Sequence, residues 1–256
     1  RQMCIRDRKT PAPLPIWQIL CAKRSECKMA LYAIADLHLS LGTDKPMDVF
    51  RGWENYVERL EKNWRALVTE EDTVVIAGDI SWGMRLEETG KDFAFIESLP
   101  GKKLLLKGNH DYWWSTRNKI ETFFAQKGFK TMQLVFNSAE RVGDITVCGT
   151  RGWLYNAETA EDKKIVAREN GRLIASLNAA KALGGTPVVF LHYPPVYTGT
   201  SAPEIVATLK AYGITRCYYG HLHGNAIRYA VQGDVEGIRY KLVSADGLRF
   251  CPYRIN

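Results

Sequence analysis

From Leu31 onward, short apolar runs alternate with amphipathic stretches. "LYAIAD" (31–36), "DTVVIAGD" (72–79) and "KKLLLKGNHD" (102–111) are short, apolar and bounded by polar or turn-forming residues, and each predicts a buried strand. Between the first two, Phe50, Trp53, Val57, Leu60, Trp64 and Leu67 recur at helical spacing, which predicts a helix over 47–69 with one apolar face. Further helices are predicted at Glu87–Ser98, Thr116–Gln126, 158–183 and Glu204–Tyr212. Gly171 weakens the middle of the long one, and Gly213 stands where a C-terminal cap belongs. "MQLVFN" and "DITVCGT" read as neighbouring strands joined by a turn at Gly143-Asp144. "TPVVFLHYPP" is a strand stopped by Pro194-Pro195. "CYYGHLHG", "AIRYAVQG" and "GIRYKLVSAD" read as closing strands. Strand and helix alternate without a linker, repeat or low-complexity segment, which predicts a single α/β domain over 29–256.

Composition narrows this picture. No apolar run approaches the roughly 18 residues of a membrane helix, and a 46% hydrophobic content suits a self-sufficient core. The formal charge of +7 suggests an acidic partner until its location is examined. Arg1–Lys28 holds seven basic and two acidic residues, leaving 28 against 26 in the rest. A body this close to neutral makes no electrostatic case for nucleic acid. Residues 1–28 read as a leader outside the folded domain, disordered or not native; they make a poor secretory signal, and the expected location is cytoplasmic. Cys148, Cys217 and Cys251 are scattered without CxxC spacing, so reduced thiols are expected rather than disulfides or a cysteine zinc site.

The chemistry gathers at the strand ends. All five histidines, His38, His110, His192, His221 and His223, follow the end of a predicted strand, as do Asp36, Asp79 and Asp111. Ligand sites of open α/β folds lie outside the carboxyl ends of the strands. Asp36-x-His38 and His221-x-His223 place two polar groups at i and i+2, on one side of an extended chain. Asn109 adds an amide oxygen. Two carboxylates, an amide oxygen and several imidazoles are too many for one tetrahedral zinc, and suit two adjacent divalent ions with mixed N/O ligands.

The ordered blocks Asp36-x-His38, Gly78-Asp79, Gly108-Asn109-His110-Asp111, His192 and Gly220-His221-x-His223 resemble the calcineurin-like metallophosphoesterase superfamily, of its bacterial single-domain type. The resemblance implies a four-layer α/β/β/α sandwich, with two mixed β-sheets packed face to face and flanked by helices. It also implies hydrolysis of phosphate monoesters or diesters by a hydroxide bridging two metal ions. By position, Asp36, His38 and His223 would hold one ion, Asn109, His192 and His221 the other, and Asp79 would bridge. His110 would be the general acid at the leaving group, with Asp111 orienting its ring. Manganese is the first choice of metal, with iron and zinc compatible.

A small phosphorylated substrate is expected. Arg151, Tyr112 and Trp113 are its candidate contacts; loop packing is the alternative for the aromatics, including Trp82, Trp114 and Trp153, and a surface position for Arg151. A nuclease or nucleotide hydrolase of the same superfamily is the nearest alternative. A non-catalytic interaction module is disfavoured because no ligand position has been lost.

Overall fold

The computed structural model of the chain describes residues 29–153 and 159–256, so the expectations for residues 1–28 fall outside the described residues. Two mixed sheets stand at the centre. The first has the order β13-β1-β2-β3-β4: β1 (Leu31–Ile34), β2 (Thr73–Ala77), β3 (Lys102–Leu106) and β4 (Met132–Leu134) run parallel, and β13 (Tyr253–Arg254) pairs antiparallel with β1. The second has the order β11-β12-β10-β7-β6-β5. In it β6 (Ile145–Thr150), β7 (Thr186–Leu191), β10 (Arg216–Tyr219) and β12 (Ile238–Leu242) are parallel, while β5 (Ala139–Val142) and β11 (Gly233–Val235) are antiparallel edges. A small hairpin, β8 (Val196–Tyr197) with β9 (Thr200–Ser201), follows the Pro194-Pro195 turn.

The side-chain alternation of each strand builds the layers. Leu31, Ala33, Val75 and Leu104 point from the first sheet toward Val147, Val188, Phe190 and Tyr218 of the second, closing the core between them. Their neighbours Ile34, Val74, Ile76 and Leu105 face α1 (Tyr56–Leu67), α2 (Gly90–Ser98) and α3 (Arg117–Lys127). On the far side, Val189, Leu191, Cys217 and Tyr219 meet α4 (Ala160–Leu183) and α5 (Pro203–Ala211). Central strands are therefore buried on both faces, which explains their continuous apolar runs. The expected arrangement of two mixed sheets flanked by helices is what the chain adopts.

Three local expectations are corrected. The first helix starts at Tyr56, not 47, because Gly52 (φ 90°) and Asn55 (φ 49°) turn left-handed and break the helical path. Its buried face is Tyr56, Leu60 and Trp64, whereas Phe50 is 55% exposed. β4 and β6 are not neighbours: they lie in different sheets, and the Gly143-Asp144 turn joins β6 to β5, a strand too polar to announce itself. "AIRYAVQG" opens as a 3-10 turn over Gly224–Tyr229 rather than a strand. The long helix α4 is uninterrupted at Gly171, and is capped by the Thr159 side chain, which accepts from Asp162 N.

Candidate metal centre

The carboxyl ends of β1, β2, β3, β7 and β10 converge on one point. Asp36 and His38 leave β1, Asp79 leaves β2, Asn109 and His110 leave β3, His192 leaves β7, and His221 and His223 leave β10. Asp36, His38, Asp79 and His221 all have left-handed backbones, with φ of 61°, 45°, 52° and 71°. Such conformations cost on the order of 1–3 kcal/mol each outside glycine and persist where surrounding structure enforces them. Glycine serves a further need here, close approach, although Gly78 is also left-handed at φ 95°. A Cβ on Gly78 would stand 2.7 Å from Gly108 Cα and His192 Nδ1, and one on Gly220 would stand 2.5 Å from Asp36 Oδ2.

Two groups of donor atoms result. Asp36, His38, Asp79 and His223 each offer an atom within 4.8 Å of the others, a spacing one cation can span. His38 Nε2 lies 3.1 Å from His223 Nε2 and 3.7 Å from Asp79 Oδ2, and His223 Nε2 lies 3.5 Å from Asp36 Oδ1. In the second group, Asn109 Oδ1 is 2.6 Å from His192 Nε2 and 2.9 Å from His221 Nδ1, and His192 Nε2 is 3.5 Å from Asp79 Oδ2. Asp79 Oδ2 thus faces both groups. It is buried and has no hydrogen-bond partner among the described residues, while Asp79 Oδ1 accepts from His110 N at 2.7 Å.

Electrostatics make the same point. Burial pushes the carboxyls of Asp36 and Asp79 above the usual range. Burial pushes His192 and His221 down to about 3 and His38 well below its ordinary value, so these rings are neutral with lone pairs free to ligate. Burial opposes charge on His223 as well, but Asp36, Asp246 and Asp79 outweigh it and hold it up at about 9. Buried carboxylates and converging lone pairs in one place are costly without positive charge, and the donor set fits divalent cations with mixed N/O ligands.

One ring is oriented by a hydrogen bond at its other nitrogen and a second has a carboxylate facing it. His192 Nδ1 lies 3.1 Å from the Ala77 carbonyl, and His223 Nδ1 lies 3.6 Å from Asp246 Oδ1. The Tyr56 hydroxyl donates to the His38 carbonyl at 3.1 Å. Trp82 stacks on the His38 ring at 4.7 Å and 22°, and also lies 4.7 Å from His110. Sequence reading missed Asp246, although it too is an aspartate just beyond a strand, the signal that found Asp36 and Asp79.

Asp111 does something other than expected. Its Oδ2 accepts from Gly108 N (2.7 Å) and Asp79 N (2.9 Å), and its Oδ1 from Ile80 N (2.8 Å), Ser81 N (3.5 Å) and Trp113 Nε1 (3.0 Å). With both oxygens committed, it joins the loops after β2 and β3 and does not orient His110. Burial, followed by the charge of Asp79, pushes its carboxyl up to about 7, against the pull of these backbone donors. The ring of His110 instead has Tyr112 Oη at 3.4 Å from Nδ1.

The candidate substrate contacts separate. Tyr112 is 54% exposed beside His110. Trp113 is only 2% exposed and packs edge-on against Phe93 at 5.0 Å, so it is a core residue and not a substrate contact. The turn that bonds Trp114 N to the Asp111 carbonyl directs it inward. Arg151 is largely buried, bonded to Glu169 and lying over the Trp153 ring at 4.8 Å. Cys148 and Cys217 are buried and Cys251 half-buried, all as free thiols.

The family model described as calcineurin-like phosphoesterase matches residues 29–225. Among solved structures, phosphopantetheinyl hydrolase (PptH) from Mycobacterium tuberculosis is similar in fold, with a TM-score of 0.53 and 14% identity, covering 89% of this chain and 96% of that one. TT1561 of Thermus thermophilus is similar at a TM-score of 0.50 and 10% identity, with 77% and 83% covered. A search of curated proteins gives no match. Among the described residues, no helix is long and apolar enough to cross a membrane.

Proposed function

Because this chain belongs to the calcineurin-like phosphoesterase family, we propose that it hydrolyses phosphate monoesters or diesters with the help of two divalent metal ions, manganese being the first choice. The observation that carries this reading is Asp79 Oδ2, a buried carboxylate oxygen with no hydrogen-bond partner among the described residues, facing both His38 Nε2 and His192 Nε2. Asp36, His38 and His223 would hold one ion, Asn109, His192 and His221 the other, and Asp79 would touch both. When bound, such a pair neutralises phosphoryl oxygens and lowers the pKa of water toward ~7.

The chain's own residues supply the rest. The left-handed backbones of Asp36, His38 and Asp79 aim three side chains at one point. His110 is fixed by its N–H to Asp79 Oδ1, and its ring stands against Trp82 and Tyr112. The residue is partly exposed, and among the described residues its ring bonds no carboxylate, which suits a group that gives a proton to the leaving oxygen. The Tyr112 hydroxyl beside Nδ1 replaces the expected Asp111 as the group that steadies the ring. Trp82 and Trp53 pack against the His38 ring.

His110→Ala tests the assignment. The variant is expected to retain the wild-type content of divalent ions by elemental analysis and to lose about 10²–10⁴-fold in kcat on an alkyl phosphate ester. An aryl ester, whose leaving group needs little help, should lose far less. Wild-type protein that takes up no divalent ion, or that turns over no mono- or diester in a manganese-supplemented panel, overturns the function. An unchanged kcat in His110→Ala overturns only the role of His110.

A further inference from the structure

Beside the metal centre, where β3, β6 and β7 end, three cations surround one carboxylate. Glu169 of α4 is fully buried. It accepts from Thr150 Oγ1 at 2.8 Å, Arg151 Nη2 at 3.2 Å and Arg172 Nη1 at 2.7 Å. Lys107 lines the same small cavity, and among the described residues its ammonium has neither a hydrogen bond nor an ion pair. Arg151 Nε is buried and has no hydrogen-bond partner among the described residues.

This is more positive charge than a structural ion pair needs. One arginine would satisfy a buried glutamate; two further cations add repulsion and desolvation that Glu169 and the nearby Asp111 offset only in part. Such an excess is offset when an anion arrives.

The location says which anion. Lys107 directly precedes Gly108-Asn109, and the Arg151 carbonyl accepts from His192 N at 3.1 Å and Tyr193 N at 2.8 Å. The cluster therefore stands on the same strand ends that carry Asn109 and His192. The Tyr193 ring, 4.3 Å from that of His221, continues the wall. The gap enclosed by the cluster is about 10 Å³, room for at most one water, so a larger group meets Lys107 and Arg151 from the open side.

We propose that Lys107 and Arg151, the latter held by Glu169 beside Arg172, form a subsite for a second phosphate, and that the substrate is a phosphate ester carrying another phosphate at a distance from the scissile one. Arginine and lysine together suit a phosphate through charge-assisted hydrogen bonds. The inference rests on the phosphoesterase reading above and names its substrate class.

The test compares alkanediol monophosphates with the matching bisphosphates, at spacers of two to six carbons, on manganese-supplemented wild type and Lys107→Met. Lys107 has no hydrogen bond or ion pair among the described residues to lose, and the melting temperature verifies that the variant is folded. Wild type is expected to favour the best bisphosphate at least about tenfold in kcat/KM, beyond the factor of about two from its equivalent ends, and Lys107→Met to reduce that ratio about tenfold. A wild-type ratio near two at every spacer, or a ratio unchanged in Lys107→Met, overturns the subsite. If no ester is turned over, the phosphoesterase reading fails by itself, and calorimetry with the same bisphosphates decides the subsite. About tenfold weaker binding to Lys107→Met supports it; equal or undetectable binding overturns it.

Discussion

The first sheet delivers Asp36, His38, Asp79 and Asn109 on loops that turn back sharply, three of those residues left-handed. The second sheet delivers His192, His221 and His223 from strand ends, with only His221 left-handed. The supports differ accordingly. On the first side, folded-back loops leave backbone N–H groups buried, and carboxylates satisfy them: Asp111 takes four, and Asp92 accepts from Leu41 N at 2.7 Å while bonding the Ser81 hydroxyl. On the second side fewer backbone donors need a carboxylate, His221 N meeting Asp36 and Gly224 N meeting Asp246, and support acts more on side chains, through Ala77 O at His192 and the Asp246 charge beside His223. One half of the site is therefore a problem of backbone satisfaction and the other a problem of ring orientation.

That contrast predicts different failures. Asp111→Ala leaves four backbone donors and Trp113 Nε1 without their acceptor in a buried place. At about 1–3 kcal/mol for each well-formed bond lost, the expected destabilisation is about 4 kcal/mol or more. Chemical denaturation should show a large loss of stability together with loss of divalent-ion uptake. A stable variant that still binds metal would show that the loops after β2 and β3 hold themselves.

Asp246→Asn tests the second half. The amide oxygen can still accept from Gly224 N, but the charge facing His223 Nδ1 is gone. The expected result is a loss of about 10–100-fold in metal affinity, read by equilibrium dialysis, with little change in melting temperature. A large fall in stability with unchanged affinity would assign Asp246 to the loop rather than the ring, and the contrast between the halves would fail.

The same contrast explains what could be read from the sequence. The donors of the site were legible because a short apolar run ending in Asp, His or Asn marks a strand end, and parallel strands bring those ends to one edge. What was hidden is nonlocal. Nothing near Asp111 reveals that Asp79, Ile80 and Ser81 turn their N–H groups toward it, so its partner seemed to be the adjacent His110. Trp113 looked like a pocket wall until a local turn directed it into the core. β4 and β6 were apolar enough to find, but sheet membership depends on pairing with β3 and β7. β5, "AERV", is an exposed edge without an apolar signature.

The first sheet also buries charge where no site needs it, which separates functional from incidental cost. Lys103 of β3 lies fully buried toward the opposite end of that strand, its ammonium bonded to the Leu99 carbonyl and to Thr131 Oγ1 at 3.0 Å. Burial pushes its pKa from 10.5 down to about 8. Between those values the unfolded chain binds more protons than the folded one, so this residue's contribution to stability rises with pH across that window. Below pH 8 both states are protonated and the cost of burying the charge is present in full. The amount is on the order of a few kcal/mol. Urea unfolding of wild type and Lys103→Met at pH 7, 8, 9 and 10 should therefore show wild type gaining on the variant as pH rises. Metal affinity, measured in parallel, should not change between the two. A difference that is flat with pH would mean that the lysine is neutral or solvated throughout, and a shift in metal affinity would couple this end of the first sheet to the loops at the other.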